Sequence, residues 1–265
     1  MELTAGKTME ISAGKLAHLA NGSCVVRMGD TCVLAAVCSG PARKGADFFP
    51  LQVDYREKFS AAGRFPGGFI KREGRPTDKE ILTMRMTDRP IRPLFPEGFF
   101  DEVQVYGLVL SYDGEHDADT LFMLGASAAL CLSDLPYQGP VGAVRVGYID
   151  GQFIANPTVE EMKKSEIELV YSGKEDQVIM IEGEAKECSE KLLADAMYFA
   201  NDIIKRQCAA QRELAEKAGR TKKVPELHLV PAEVMAAIEE SCGATLEDAA
   251  FLPGKEERGK ALDVV

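Results

Sequence analysis

The sequence predicts an α+β fold, and three observations carry that reading. Apolar, β-branched runs come in groups separated by turn residues; helical signals are few and stand between those groups; and a segment of more than thirty residues with helical periodicity follows the last of them. Strands in runs with occasional helices suit mixed or antiparallel sheets with helices packed on them, and not a strictly alternating parallel sheet.

Taken in order, residues 24–27 and 31–38 are apolar runs separated by Met28-Gly29-Asp30, a hairpin signal, and residues 48–55 give another run. Thr77-Asp78-Lys79-Glu80 is a capping box, in which the Thr77 oxygen can accept from the amide three residues on while Glu80 reaches back. It predicts a helix that Pro90 ends, with Ile81, Leu82, Met84 and Met86 as its buried positions. Residues 103–110 read as a strand, and 121–132 as a short helix whose small residues, Gly125-Ala126-Ser127-Ala128-Ala129, allow close packing on a sheet. Residues 141–148, 152–155, 167–171 and 177–182 continue as strands, with turn signals at Asp150-Gly151, Asn156-Pro157 and Ser172-Gly173. From 185 to 218 the pattern is helical, with Leu192, Leu193, Ala196, Phe199, Ala200, Ile203 and Ile204 on one side and Gly219 at its end. Residues 220–230 read as a linker, 231–241 begin another helix, and 252–265 have no evident core to join. The domain reading is one core over residues 1–220, then a linker and the beginning of a truncated helical domain over 221–265.

Composition sets the bounds. The 265 residues hold one large domain or one and a half, and 46% hydrophobic with 28% charged content is ordinary globular usage. No run of 18 apolar residues exists and Met1-Glu2-Leu3-Thr4 lacks the start of a signal peptide, so the chain reads as soluble and cytoplasmic with no membrane partner. Seven cysteines, an odd number with no CxxC pair, read as buried free thiols in a reducing compartment. The three histidines, His18, His116 and His228, are isolated; they give neither a metal centre nor a Ser/His/Asp or Cys/His set.

Charge is distributed unevenly. Between Arg56 and Arg92 ten Lys/Arg stand against five Asp/Glu; with −11 overall, this leaves −16 on the remaining 228 residues. A basic field concentrated in one place favours an anionic partner. Gly63, Gly67, Gly68 and Gly74 make a flexible loop that carries Phe65, Phe69 and Ile70, followed at once by Lys71, Arg72 and Arg75. Flat rings beside cations suit stacked bases and phosphates; the competing reading tucks the three apolar residues under the loop as core. Arg85, Arg89 and Arg92 follow at spacings of four and three. Either an anion reverses the repulsion between like charges on one helical face, or Asp88, Glu80 and Glu73 neutralise them. The loop is neither GxxxxGK[ST] nor GxGxxG. Arg145, a charge in an otherwise apolar strand, needs a partner, for which a buried ion pair and a phosphate contact are equally good explanations. The acidic stretch with Glu160, Glu161, Glu166 and Glu168 is interrupted by Lys163 and Lys164 and reads as a solvated helix followed by a strand.

Three segments also carry a resemblance. Phe49-Pro50-Leu51-Gln52-Val53-Asp54-Tyr55-Arg56-Glu57-Lys58, the stretch from Ala61-Ala62-Gly63-Arg64-Phe65-Pro66-Gly67-Gly68 to Arg75-Pro76, and Asp88-Arg89-Pro90-Ile91-Arg92-Pro93-Leu94-Phe95-Pro96-Glu97-Gly98 closely resemble the first core domain of the bacterial polynucleotide phosphorylase family. Gly125-Ala126-Ser127-Ala128-Ala129-Leu130 and Gly139-Pro140-Val141-Gly142-Ala143-Val144-Arg145-Val146-Gly147 match as well. The similarity covers about residues 1–220, and the tail looks like the start of that family's helical linker domain.

The resemblance implies an RNase PH-like fold, two such cores per full-length chain, and a homotrimeric ring around a channel for single-stranded RNA. Members degrade RNA from its 3′ end by phosphorolysis in mRNA turnover, with inorganic phosphate as co-substrate, nucleoside diphosphates as products, magnesium as cofactor, and other RNA-degradation proteins as further partners. On the matching positions it implies RNA binding by Phe69, Ile70, Lys71 and Arg72, where the family has two Phe followed by two Arg at the channel's narrow point, and by Arg75, Arg85, Arg89 and Arg145. Ile70 and Lys71 depart from the pattern and remove one stacking ring and one bidentate donor. The family's phosphate-binding serines and metal-binding acids belong to the second core, so the catalytic residues and magnesium ligands are expected outside this chain. The alternative reading is a complete, non-catalytic RNase PH-like ring subunit that binds RNA for a catalytic partner.

Overall fold

The Met28-Gly29-Asp30 turn closes a hairpin. β2 (Gly22–Met28) and β3 (Thr31–Gly40) run antiparallel with Met28 opposite Thr31, and Gly29 takes the positive φ of 59° that a two-residue turn requires. The computed structural model describes residues 1–3 and 6–265, which form two compact units, Met1–Glu226 and Leu227–Val265.

Two sheets build the first unit. One has five strands in the order β1-β2-β3-β5-β4, with β1 spanning Met9–Ala13, β4 Leu51–Arg56 and β5 Glu102–Ser111. Its pairings are antiparallel except β4 against β5, which is parallel. The other is antiparallel in the order β7-β6-β8-β9, from β6 (Gly142–Ile149), β7 (Gln152–Ala155), β8 (Ile167–Gly173) and β9 (Val178–Ala185). The α+β expectation, with mixed and antiparallel sheets, is met.

The helix of small residues, α2 (Asp119–Leu132), is buried at every position but Cys131. It packs on β2 and β3 and also touches β6 and the long helix α4 (Glu190–Ala218). Apolar residues all round suit a helix with protein on every side. Close approach is enforced at two glycines: a Cβ on Gly107 would lie 2.3 Å from the Phe122 ring, and one on Gly22 2.1 Å from the Ala129 carbonyl oxygen. Buried amides stitch α4 to β6. Gln207 accepts from the Ala143 N–H at 2.7 Å and donates to its carbonyl at 2.8 Å, and Gln211 donates to the Val141 carbonyl at 2.8 Å. Both ends of the Gln207 amide are thereby bonded, whereas the buried Gln211 Oε1 has no partner among the described residues.

Three local expectations need correction. First, α1 (Asp78–Ile91) passes through Pro90, which is its penultimate residue; only the bond to the carbonyl four back is forfeited there, and the chain tightens into a 3-10 turn over Arg92–Leu94. Second, Ile81 and Leu82 are 42% and 51% exposed, and α1 instead buries Glu80, Thr83, Thr87, Pro90 and Ile91. The threonine hydroxyls donate to the helix's own carbonyls, Thr83 to Lys79 at 2.9 Å and Thr87 to Thr83 at 2.8 Å, so the stripe can be buried without orphan donors. Third, the long helix begins at Glu190, because Ala185 closes β9 and the Ser189 side chain caps the Leu192 N–H.

All seven cysteines are free. Cys24 and Cys208 are buried as expected, whereas Cys38 stands exposed on the outward side of β3. Beyond α4, Arg220 donates its N–H to the Leu132 carbonyl, the Lys222 ammonium reaches the Leu130 and Ser133 carbonyls at 2.8 and 2.7 Å, and the Lys223 N–H bonds the Asp134 carbonyl. The stretch after Gly219 is thus fastened to the C-terminal end of α2.

The second unit consists of α5 (Ala232–Ala250) and α6 (Lys255–Leu262), which pack on each other. The last helix occupies the stretch for which the sequence offered no core. No helix among the described residues is long and apolar enough to cross a membrane.

Candidate nucleic-acid interface

Edge strand β4 runs into a single 3-10 turn, Phe59–Ala62, and the glycine-rich loop then returns to the capped start of α1. The loop's two stems are held to the body. Ala61 accepts from the Tyr112 N–H at 3.0 Å, the Arg56 guanidinium donates to the Gly74 carbonyl at 3.0 Å, and Glu73 accepts from the Phe59 N–H at 3.2 Å. At the root lies Glu80, whose residue surface is 6% exposed. Burial pushes its carboxyl up, but the Thr77 and Glu57 backbone N–H groups, the Thr77 hydroxyl and the Arg56 guanidinium outweigh burial and hold its pKa below the usual 4.5.

The tip is free of the body. Phe69 is 102% exposed, and Phe65 and Ile70 are exposed too, so the apolar residues are not tucked under the loop as core. Lys71 sits at a positive φ of 53° with its N–H bonded to the Gly68 carbonyl, and its ammonium lies 5.6 Å from the centroid of the Phe65 ring. That is cation–π range, and the contact leaves the outer face of the charge to solvent.

The ten cations of the segment separate into two groups. Arg56, Lys79, Arg89 and Arg92 have acidic partners, Arg92 through a bidentate pair with Asp88 at 2.5 and 2.7 Å. Lys58, Arg64, Lys71, Arg72, Arg75 and Arg85 are exposed and form no ion pair among the described residues. Excess positive charge is therefore displayed on the loop and on the first turns of α1. Lys58 and Arg64 belong to this display although the resemblance assigns them no role; their place inside the same basic stretch is the available signal. Arg89 pairs with Glu182 of β9 at 2.9 Å, both half-exposed, an arrangement that contributes little to stability. Arg85 and Arg89, with Val53, Met84 and Asp88, line a surface cleft of ≈ 310 Å³.

Arg145 stands on β6 of the four-stranded sheet. Its guanidinium is paired with Asp119 of α2 and Glu168 of β8, its side chain is 12% exposed, and its Nε is buried without a partner. Of the two explanations for a charge in this apolar strand, the geometry is that of the buried ion pair. Ser127 of the small-residue helix is also committed to structure, accepting from the Val141 N–H at 2.9 Å. Glu160 pairs with Lys163, while Glu166, Glu168 and Glu184 share a cavity of ≈ 500 Å³ with Lys163 and Lys186. Among the described residues no three His, Cys, Asp or Glu side chains come together in a way that could hold a metal ion.

The chain is similar to known proteins. Residues 5–136 match the profile of the 3′ exoribonuclease family, domain 1, and residues 139–203 that of domain 2 of the same family. The polyribonucleotide nucleotidyltransferase of Chlorobaculum parvum is 49% identical over 261 residues, covering 97% of this chain and 36% of that protein. The enzyme of the same name from Akkermansia muciniphila is 51% identical over 95% of this chain and 35% of its own length, and that of Aquifex aeolicus 48% over 96% and 33%. The chain thus spans little more than a third of the curated relatives it matches. A chain of the Archaeoglobus fulgidus exosome, solved with RNA bound to the active site, superposes with a TM-score of 0.58 over 80% of this chain and 88% of that one, at 23% identity, a likeness of fold. With both family domains present along an RNase PH-like α+β unit, and with similarity along its whole length to the N-terminal part of polyribonucleotide nucleotidyltransferases, the chain belongs to the 3′ exoribonuclease family.

Proposed function

We propose that this chain supplies the RNA-guiding surface of a 3′-to-5′ phosphorolytic exoribonuclease that acts in the cytoplasm in mRNA turnover. Single-stranded RNA is led along the loop and α1 toward groups outside residues 1–265, where phosphate attacks the terminal phosphodiester and a nucleoside diphosphate leaves. The observation that carries this reading is the set of six exposed cations without acidic partners among the described residues, interleaved with the exposed Phe65, Phe69 and Ile70. Phosphates answer the charges and bases the rings, a combination suited to a strand read without sequence preference. The family membership and the relatives' common name support the same conclusion.

Magnesium does not fit the residues present, since no acidic triad converges among those described; its ligands, like the serines expected to bind phosphate, belong to the remainder of a full-length protein. That protein forms a homotrimer in this proposal, with the loop facing its channel, and it works beside other RNA-degradation proteins. A phosphorolysis assay tests the division of labour. Residues 1–265 alone release no nucleoside diphosphate, and a version extended through the following reading frame does; phosphate-dependent release by the short form overturns the placement of the chemistry.

A further inference from the structure

We infer that Glu80 is a positioning residue for the RNA-guiding loop, a buried carboxylate that holds both stems of the loop at one point. The inference rests on the reading of the loop as an RNA surface. Its evidence is the way the two carboxylate oxygens are used. Oε2 accepts from the Thr77 N–H at 2.6 Å while the Glu80 N–H donates to the Thr77 hydroxyl oxygen at 3.2 Å, the two contacts of an ordinary capping box, and the Thr77 hydroxyl lies 3.0 Å from Oε2 as well. Oε1 accepts from the N–H of Glu57 at 2.9 Å, 23 residues earlier and just past the end of β4, and lies 3.8 Å from the Arg56 Nε. A helix cap does not require that second contact. It joins the residue that enters the loop to the residue that leaves it.

The same motif elsewhere in the chain shows a capping box that does not join two loop stems. In α3 (Val159–Met162), Thr158 and Glu161 form another capping box, with Oε2 of Glu161 accepting from the Thr158 N–H at 2.6 Å and from the Lys7 ammonium. Its side chain is 39% exposed and joins no loop stems. Glu80 is instead buried, and its side chain is turned toward the root of the loop.

Beyond that root the loop has few anchors. Arg56 to Gly74, Glu73 to Phe59 and Tyr112 to Ala61 tie the stems, while from Phe65 to Arg72 the backbone bond among the described residues is Lys71 to Gly68, within the tip itself. With Phe69 fully exposed, the direction in which the tip points is inherited from its stems. Holding the stems reduces the ordering that RNA binding would otherwise demand.

The test compares Glu80→Gln, Glu80→Asp and Glu161→Gln with the parent chain, at a temperature where circular dichroism shows each folded. Gln keeps the size but turns one acceptor into a donor facing an N–H; Asp keeps the charge and is one methylene too short to span both contacts, and it carries the test if the Gln variant does not fold. Amide hydrogen exchange at Glu57 and Thr77 is read first. Faster exchange in the Glu80 variants is expected, and unchanged exchange overturns the proposal. Affinity for a fluorescent single-stranded oligoribonucleotide is read second, across a salt series. The Glu80 variants are expected to bind roughly tenfold more weakly, with the slope of log affinity against log salt unchanged because the same phosphates are contacted once the loop is in place. Glu161→Gln is expected to bind as the parent does. Parent-like affinity in the Glu80 variants, or an equal loss in Glu161→Gln, overturns the positioning role. If the parent itself binds no RNA, the functional reading fails, and the exchange data still decide whether Glu80 holds the stems.

Discussion

Arg145 on β6 and Asp119 in the first turn of α2 form an ion pair whose side chains are 12% and 3% exposed, with Glu168 as a second acid on the same guanidinium. The pair ties the helix at the centre of the first unit to the four-stranded sheet. Replacing Arg145 with Met leaves Asp119 charged, buried and unpaired, and is expected to cost about 3–5 kcal/mol. Urea unfolding measures it. RNA affinity of the folded variant is expected to match the parent, and a selective loss of affinity with intact stability would return Arg145 to the RNA surface.

Phe69 touches no core, so Phe69→Ala is expected to change stability by less than about 0.5 kcal/mol. If a base stacks on the ring, the same change weakens RNA binding by about 1–3 kcal/mol without altering its salt dependence. Anisotropy titrations at several salt concentrations separate the two effects.

Arg72, Arg75 and Arg85 carry no acidic partner among the described residues, and each is expected to meet a phosphate. Replacing any one with Ala lowers the magnitude of the slope of log affinity against log salt by about 0.7, uniformly across RNA sequences. An unchanged slope for all three would remove the loop and α1 from the path of the strand.

Gly107→Ala places a methyl against the Phe122 ring, where a Cβ would stand at 2.3 Å. Overpacking of this kind costs about 1–3 kcal/mol. A thermal melt tests it, and a parent-like midpoint would mean that β5 and α2 can part more easily than their packing indicates.

Burial pushes the Cys24 and Cys208 thiols up to about 12 from the usual 9.0. Because the folded pKa is raised, the stabilising contribution of keeping these thiols neutral is fully present below pH 9 and is lost as pH rises from there through 12. At pH 8 in the folded protein a thiol reagent is expected to label Cys38 rapidly and Cys24 and Cys208 only on unfolding. Mass spectrometry of the labelled peptides reads the order.

The sequence carried the strand pattern, the first hairpin and the capped start of α1, because turn residues and caps act within a few positions of themselves. What it did not carry was rotation and partnership. The apolar Ile81 and Leu82 invited a buried face, yet the buried carboxylate at Glu80 turns α1 so that Thr83 and Thr87 go inward. Pro90 is a breaker in isolation and is harmless one residue from a helix end. At the candidate site the excess of cations was visible as a count, but which of them are spent on carboxylates depends on contacts across the fold: Arg89 on Glu182, 93 residues away, and Arg145 on Asp119, 26 away. Arg85 and Arg89 read alike in the sequence and differ in space.

The fastening of Arg220, Lys222 and Lys223 to the end of α2 fixes where freedom can begin. Fraying of the chain past α4 is arrested at these bonds, so the Arg220 and Lys223 amides are expected to exchange with solvent more slowly than those of an unfastened stretch.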